Sequence, residues 1–170
     1  LAGYHFKNFY KTFPQNEQAD EAAYLTAYCY YLEAPKHSLD QAYTFKAINE
    51  IQLYINTHPK SDKLEDCNSY MEELRSKLEL KSYEIAYQYF KTRQYKAAMT
   101  AFTTTVSEYP DTPYREDALY YKTLAAFKLA NNSLASLQDE RFTEAKTALN
   151  DFEEAFPNSE RIEDLRKLIH

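Results

Sequence analysis

Glycine occurs once in 170 residues, at Gly3. A chain so poor in glycine lacks the left-handed turn residues that hairpins, sandwiches and barrels use. It also lacks any glycine-rich loop able to cradle a phosphate. Tryptophan is absent, and the two cysteines, Cys29 and Cys67, make no metal-binding spacing with histidine. No apolar run approaches the roughly 18 residues of a membrane-spanning helix. Basic residues are outnumbered by acidic ones, 20 to 26, for a net charge of −6. That balance disfavours a nucleic-acid backbone as the main partner.

What is present is apolar and aromatic. Apolar residues make up 44% of the chain, enough for a core, and there are 17 tyrosines and 10 phenylalanines. Composition therefore indicates an α-helical, tyrosine-rich protein. The chain opens on Leu1 inside a helix-like stretch, and we read it as part of a longer polypeptide whose targeting signal lies upstream.

An internal repeat organises the sequence. Pro14, Pro59, Pro110 and Pro157 recur at intervals of 45, 51 and 47 residues, each after Phe13, His58, Tyr109 or Phe156. Twelve residues before each proline stands an alanine: Ala2, Ala47, Ala98, Ala145. Eight before it stands Phe6, Ile51, Phe102 or Leu149; two after it, Asn16, Ser61, Thr112 or Ser159. Paired acids follow: Asp20-Glu21, Glu65-Asp66, Glu116-Asp117 and Glu163-Asp164. A small alanine lets two helices approach, and the residue one turn on fills the gap. Proline ends a helix, the short polar residue caps the next one, and acids in its first turns suit the helix dipole.

The spacing predicts helices over 1–13, 17–33, 39–57, 62–91, 95–108, 113–131, 138–155 and 159–169. Loops fall at 34–38 and 131–137. Leu64, Cys67, Met71, Leu74 and Leu78 form a packing stripe along the fourth helix. Four units follow: 1–14, the second helix of a truncated repeat, then repeats 15–59, 60–110 and 111–157. Residues 158–170 form a capping helix.

The alanine, large apolar and proline positions resemble the tetratricopeptide repeat. Proline-to-alanine gaps of 33, 39 and 35 residues exceed that repeat's regular spacing. The expected fold is an all-α, right-handed superhelix of tetratricopeptide-like pairs with elongated first helices. The strings LAGYHFKNFYKTFP, EAAYLTAYCYYLEAP, SLDQAYTFKAINEIQLYINTHP and ERFTEAKTALNDFEEAFPNS resemble the BamD/ComL family of outer-membrane assembly lipoproteins, its Bacteroidetes-type branch most. An older label for that family is competence or DNA-uptake lipoprotein. The resemblance implies a non-enzymatic scaffold on the periplasmic face of the outer membrane, held there by an N-terminal lipid. It implies partners: a BamA-type barrel-inserting subunit, other assembly subunits and unfolded outer-membrane proteins. It implies no catalytic residue, cofactor or metal. Within this family Asp40-Gln41 reads as a helix start, with Asp40 as the cap.

Several residues carry two readings. Tyr24, Tyr28 and Tyr31 share one helical face, and Tyr83, Tyr87 and Phe90 repeat it. They are candidates for partner contact, because tyrosine buries ring area while its hydroxyl stays wet; inter-helix packing is the other reading. Arg115, Lys122, Lys128 and Arg141 are candidate exposed contacts near helix ends, with the partner face placed in about 60–170. The paired acids recur at one register, so a solvated first turn explains them better than acid-base catalysis. His5, His37, His58 and His170 show no ligand spacing. The cysteines read as free thiols. Arg161, Arg166 and Lys167 alternate with Glu160, Glu163 and Asp164, as on a mixed solvated face. The alternative functions are another periplasmic helical-repeat lipoprotein, of DNA-uptake or SusD-like ligand-binding type.

Overall fold

The structure, a computed structural model, describes residues 1–169. Eight α-helices follow one another among them, without a strand: α1 Ala2–Thr12, α2 Ala19–Glu33, α3 Ala42–Thr57, α4 Leu64–Lys91, α5 Tyr95–Glu108, α6 Arg115–Asn131, α7 Ala135–Ala155 and α8 Ile162–Arg166. The protein is all-α, of tetratricopeptide-like helical repeats. A 3₁₀ turn, Lys167–Ile169, closes the described chain. The expected helix over 159–169 is thus a five-residue α-helix running into that turn. His170 lies outside the described residues.

The proline turns show why the repeat is visible in sequence. Phe13, His58, Tyr109 and Phe156 each end a helix with φ between −136° and −125° and ψ between 59° and 72°. The following proline excludes the helical conformation there. Each aromatic N–H still donates to the carbonyl four residues back, at 2.9–3.0 Å. Its own carbonyl accepts the N–H of Asn16, Ser61, Thr112 or Ser159, at 3.0–3.1 Å. Those side chains accept the N–H two residues on, from Gln18, Lys63, Tyr114 and Arg161, at 2.9, 3.1, 3.4 and 3.3 Å. The polar residue therefore closes the turn one step ahead of the helix rather than capping its first amides. Each acid pair sits in the first turn that follows, in α2, α4, α6 and α8.

Two compact units divide within α4: Leu1–Leu78, and the residues from Glu79 on. In the first, Ala23 and Ala27 of α2 pack with Ala47, Ile51 and Tyr54 of α3 and with Cys67 and Leu74 of α4. In the second, Ala86, Ala98, Phe102, Ala118 and Ala125 form one core. A neighbouring core gathers Leu119 and Phe127 of α6, Ala145, Leu149 and Phe152 of α7, and Leu165 of α8. Ala47, Ala98 and Ala145 are each 0% exposed, as close helix approach requires.

Ala2 departs from this pattern, for it is exposed. The close approach in α1 is at Gly3, where an added Cβ would lie 3.1 Å from the Cβ of Cys29. The one glycine thus serves contact rather than a turn. The extra repeat length is also unevenly placed. Only α4, with 28 residues and about 42 Å long, is an elongated first helix; α2 and α6 have 15 and 17 residues. Elsewhere the length goes into the 34–41 loop and into α7, which starts at Ala135 and has 21 residues.

The loop before α3 contains a further correction. Helix α3 begins at Ala42, after Gln41, and Asp40 accepts the Ala42 N–H at 2.9 Å from outside the helix. Gln41, only 5% exposed, is the organising residue. Its amide donates to the carbonyls of Lys36 and Leu39 at 2.9 and 2.8 Å, and its oxygen accepts the buried Thr44 hydroxyl at 2.7 Å.

Candidate functional site

Both units carry a tyrosine ladder on their first helices. In the first unit, i, i+4 and i+7 spacing aligns Tyr24, Tyr28 and Tyr31 along one side of α2. Tyr28 stacks on Tyr24 and on Tyr31, each at 6.2 Å between ring centroids. Tyr70 of α4 meets this row, 4.2 Å from Tyr31 with rings 19° apart and 5.6 Å from Tyr28. The Tyr24 and Tyr70 hydroxyls lie 3.2 Å apart, and Tyr31 donates to Glu73 at 2.5 Å. Lys63 and Lys77 place their ammonium groups 5.8 and 5.9 Å from the Tyr24 and Tyr31 rings.

The second unit repeats the arrangement. Tyr83 and Tyr87 of α4 stack at 6.0 Å, and Tyr87 is 6.3 Å from Phe90. The facing residues are Tyr114, 5.0 Å from Tyr83, and Tyr121 of α6, 4.8 Å from Tyr87. Lys91 lies 5.1 Å from the Tyr87 ring. All five predicted tyrosines are half-buried. Packing thus covers part of each ring, and part of the surface remains for contact.

Sequence reasoning missed the facing residues. Tyr70 and Tyr121 both stand eleven residues after a repeat proline. Counting from the prolines was the signal that could have found them.

Ionisation of Tyr24, Tyr31, Tyr83 and Tyr121 is suppressed. A hydrogen bond to Glu73, then burial, pushes Tyr31 up to about 12. Burial, then the bond to Tyr70, raises Tyr24. Burial, then the Asp117 charge, raises Tyr83; burial and a bond with Tyr87 raise Tyr121. The ladders therefore present neutral hydroxyls, suited to hydrogen bonding rather than nucleophilic attack. A phenol whose folded pKa is raised holds its proton in the native state after the unfolded chain has lost it. Its contribution to stability is complete below about pH 10 and is lost as pH rises toward 12. Alkaline melting followed by circular dichroism should show the melting temperature falling across that window. A flat profile from pH 9.5 to 12 would contradict the ladder geometry.

The four predicted cationic contacts are not alike. Arg115 is half-buried and donates to the Pro110 carbonyl at 3.2 Å, bracing its own turn. Arg141 is half-buried and donates to the Ser133 hydroxyl, tying α7 to the preceding loop. Lys122 is half-buried and Lys128 exposed. The structure brings none of these four into a tyrosine ladder.

Arg161 keeps its side chain 41% exposed but makes contacts that its spacing did not announce. It pairs with Asp117 and lies 4.9 Å over the Tyr120 ring. Ser159 donates to Glu116 at 2.6 Å. The α6 acid pair thus grips the next turn, as Asp20 does at 3.3 Å from His58. Arg166 and Lys167 remain in surface pairs with Glu153 and Asp164. Both cysteines are free, and burial pushes the Cys67 thiol up to about 11, which keeps it protonated. Among the described residues, no group of three or more His, Cys, Asp or Glu side chains forms a metal-binding cluster, and no helix is long and apolar enough to cross a membrane.

Comparison with known proteins matches this architecture to a family model. The model described as YfiO, outer membrane lipoprotein, matches residues 1–136. The outer membrane protein assembly factor BamD of Caulobacter vibrioides is 26% identical over 112 residues, covering 66% of this chain and 37% of its own length. The chain therefore spans little more than a third of the curated relative it matches.

Proposed function

This chain belongs to the YfiO family of outer-membrane lipoproteins, and from that premise we propose that it is a non-enzymatic scaffold for outer-membrane β-barrel assembly. It works by binding, and no bond is made or broken. The single observation that carries this reading is the pair of tyrosine ladders. Each combines half-buried stacked rings with neutral hydroxyls and flanking lysines. Such a surface is rigid, so little side-chain entropy is lost when a protein docks on it. The proposed partner is the periplasmic part of a BamA-type barrel-inserting subunit, contacting residues of about 60–170. Unfolded outer-membrane proteins are the second partner, on the N-terminal ladder. We read the chain as one repeat array, lipid-anchored at the periplasmic face in the full-length protein.

Titration calorimetry of the full-length protein with the barrel-inserting subunit's periplasmic domains tests this. Tyr87→Ala should weaken binding at least tenfold, the size of an aromatic hot spot, while the exposed Lys128→Ala should change it less than threefold. Native affinity in Tyr87→Ala and Tyr83→Ala alike would refute the assignment of this ladder to the contact.

A further inference from the structure

The turn from α4 to α5 runs against the charge of the chain. The protein carries −6 overall, yet residues 85–107 contain Lys91, Arg93 and Lys96 and no aspartate or glutamate. All three cations are exposed. None of them forms an ion pair or a side-chain hydrogen bond among the described residues. The protein's own acids therefore leave this turn unneutralised.

Local energetics do not explain the cations. The N–H groups of Arg93 and Gln94 donate to the Phe90 and Tyr89 carbonyls at 3.0 and 2.9 Å, the paired bonds that close a helix C-terminus. The Thr92 hydroxyl donates to the Gln88 carbonyl at 2.9 Å and accepts the Gln94 amide at 3.1 Å. This closure sets Arg93 at φ 61°, the single non-glycine residue at positive φ among the described residues. Glycine fits that position without steric cost, and arginine does not. Lys96 stands in the first turn of α5, where the helix dipole disfavours a cation. Only Lys91, in the last turn of α4, suits its dipole. Two of the three cations are thus held against their backbone surroundings, the mark of residues kept for contact rather than for folding.

We infer that the α4–α5 turn is a docking site for an acidic segment of a partner protein, whose carboxylates are taken by Lys91, Arg93 and Lys96. The hydrogen-bonded turn is rigid, so little backbone entropy is lost on docking, and the planar fork of Arg93 matches a carboxylate. A lipid surface fits less well. The exposed side chains from 91 to 96 are all polar, and anionic membranes are held by clusters of about four to eight cations. A nucleic acid meets the repulsion of the net −6 charge. Lys91 lies 5.1 Å from the Tyr87 ring, so the turn adjoins the second ladder. Its charge acts whether or not that ladder is a contact.

A capped five-residue peptide of alternating aspartate and glutamate is the probe, and its asparagine-glutamine counterpart is the control. Titration of the 170-residue protein, followed by amide chemical shifts at about 20 mM salt, should give saturable shifts centred on 88–97 with a Kd of about 1 mM. The control peptide should give none. Arg93→Gly keeps the turn and removes the guanidinium. It should melt about 2–4 °C higher and still bind the peptide at least threefold more weakly. Lys96→Glu, which suits the α5 dipole, should weaken binding at least fivefold without loss of stability. No saturation by about 10 mM, shifts centred elsewhere, or native affinity in both variants overturns the inference. So does a lower melting temperature in Arg93→Gly, which would make the arginine structural. Tighter binding of phosphatidylglycerol vesicles or duplex DNA at the same amides would assign the turn to those partners instead. Shifts there that grow with protein concentration alone would assign it to a second copy; either result overturns the acidic-segment reading. The probe has no apolar side chain, so its failure leaves the ladder assignment, tested by Tyr87→Ala, untouched.

Discussion

Phe102→Ala should destabilise the protein by about 3–5 kcal/mol, measured by urea unfolding. Phe102 is wholly buried and contributes its ring to the core formed with Ala86, Ala98, Ala118 and Ala125. Those neighbours are all alanines. Alanine cannot swing into the space the ring leaves, so only the partly buried side chains packed against this core, Tyr83, Met99 and Tyr121 among them, can relax toward it, and the cost of the residual cavity adds to the lost transfer free energy. Tyr83 and Tyr121, at 6.1 and 6.2 Å, lose their ring contacts as well. Such a loss is a large share of the 5–15 kcal/mol typical of a folded domain. Phe13→Ala is the control. Phe13 is 56% exposed, and its replacement should cost less than about 1 kcal/mol. If the two variants unfold at similar urea concentrations, alanine nesting around Phe102 is not what holds the second unit together.

Gln41→Ala should cost about 2–3 kcal/mol, although the residue lies in a loop. The side chain is buried and satisfies groups at both ends. Its amide holds the Lys36 and Leu39 carbonyls, and its oxygen takes the Thr44 hydroxyl, itself 0% exposed. Alanine would leave that hydroxyl without its partner in a place water reaches poorly. Hydrogen exchange should separate this from a general loss of stability. Amides of 36–44 should exchange faster by a larger factor than those of α1. Uniform acceleration across the first unit would mean that Gln41 acts through the core rather than through the loop.

The repeat was legible because its signals are local. Proline after an aromatic residue, then a polar residue two positions on, dictates the turn through bonds that span only two to four residues. The helix ends therefore fall close to expectation. Ala47, Ala98 and Ala145 were legible as buried because their neighbours one turn away carry the complementary bulk. Legibility failed where identity depends on what lies across an interface. Ala2 matches the repeat and is exposed, while Gly3 makes the contact with Cys29. Arg161 alternates with acids like a surface residue, yet reaches Asp117 and Tyr120, more than forty positions earlier.

The candidate site divides in the same way. Tyr24, Tyr28, Tyr31, Tyr83 and Tyr87 declare a shared helical face by spacing alone. That Tyr70 and Tyr121 complete the ladders and that Arg115 and Arg141 are spent on their own loops were decided only by tertiary packing. The sequence by itself determined which stretches are helical and where the proline turns end them, because backbone conformation answers to residues within about one turn. Each residue turns a helix by about 100°, so a small shift in how two helices meet changes which side chains face each other. Which side chains meet is therefore settled by the fit of whole helices, and only the folded structure carries that information.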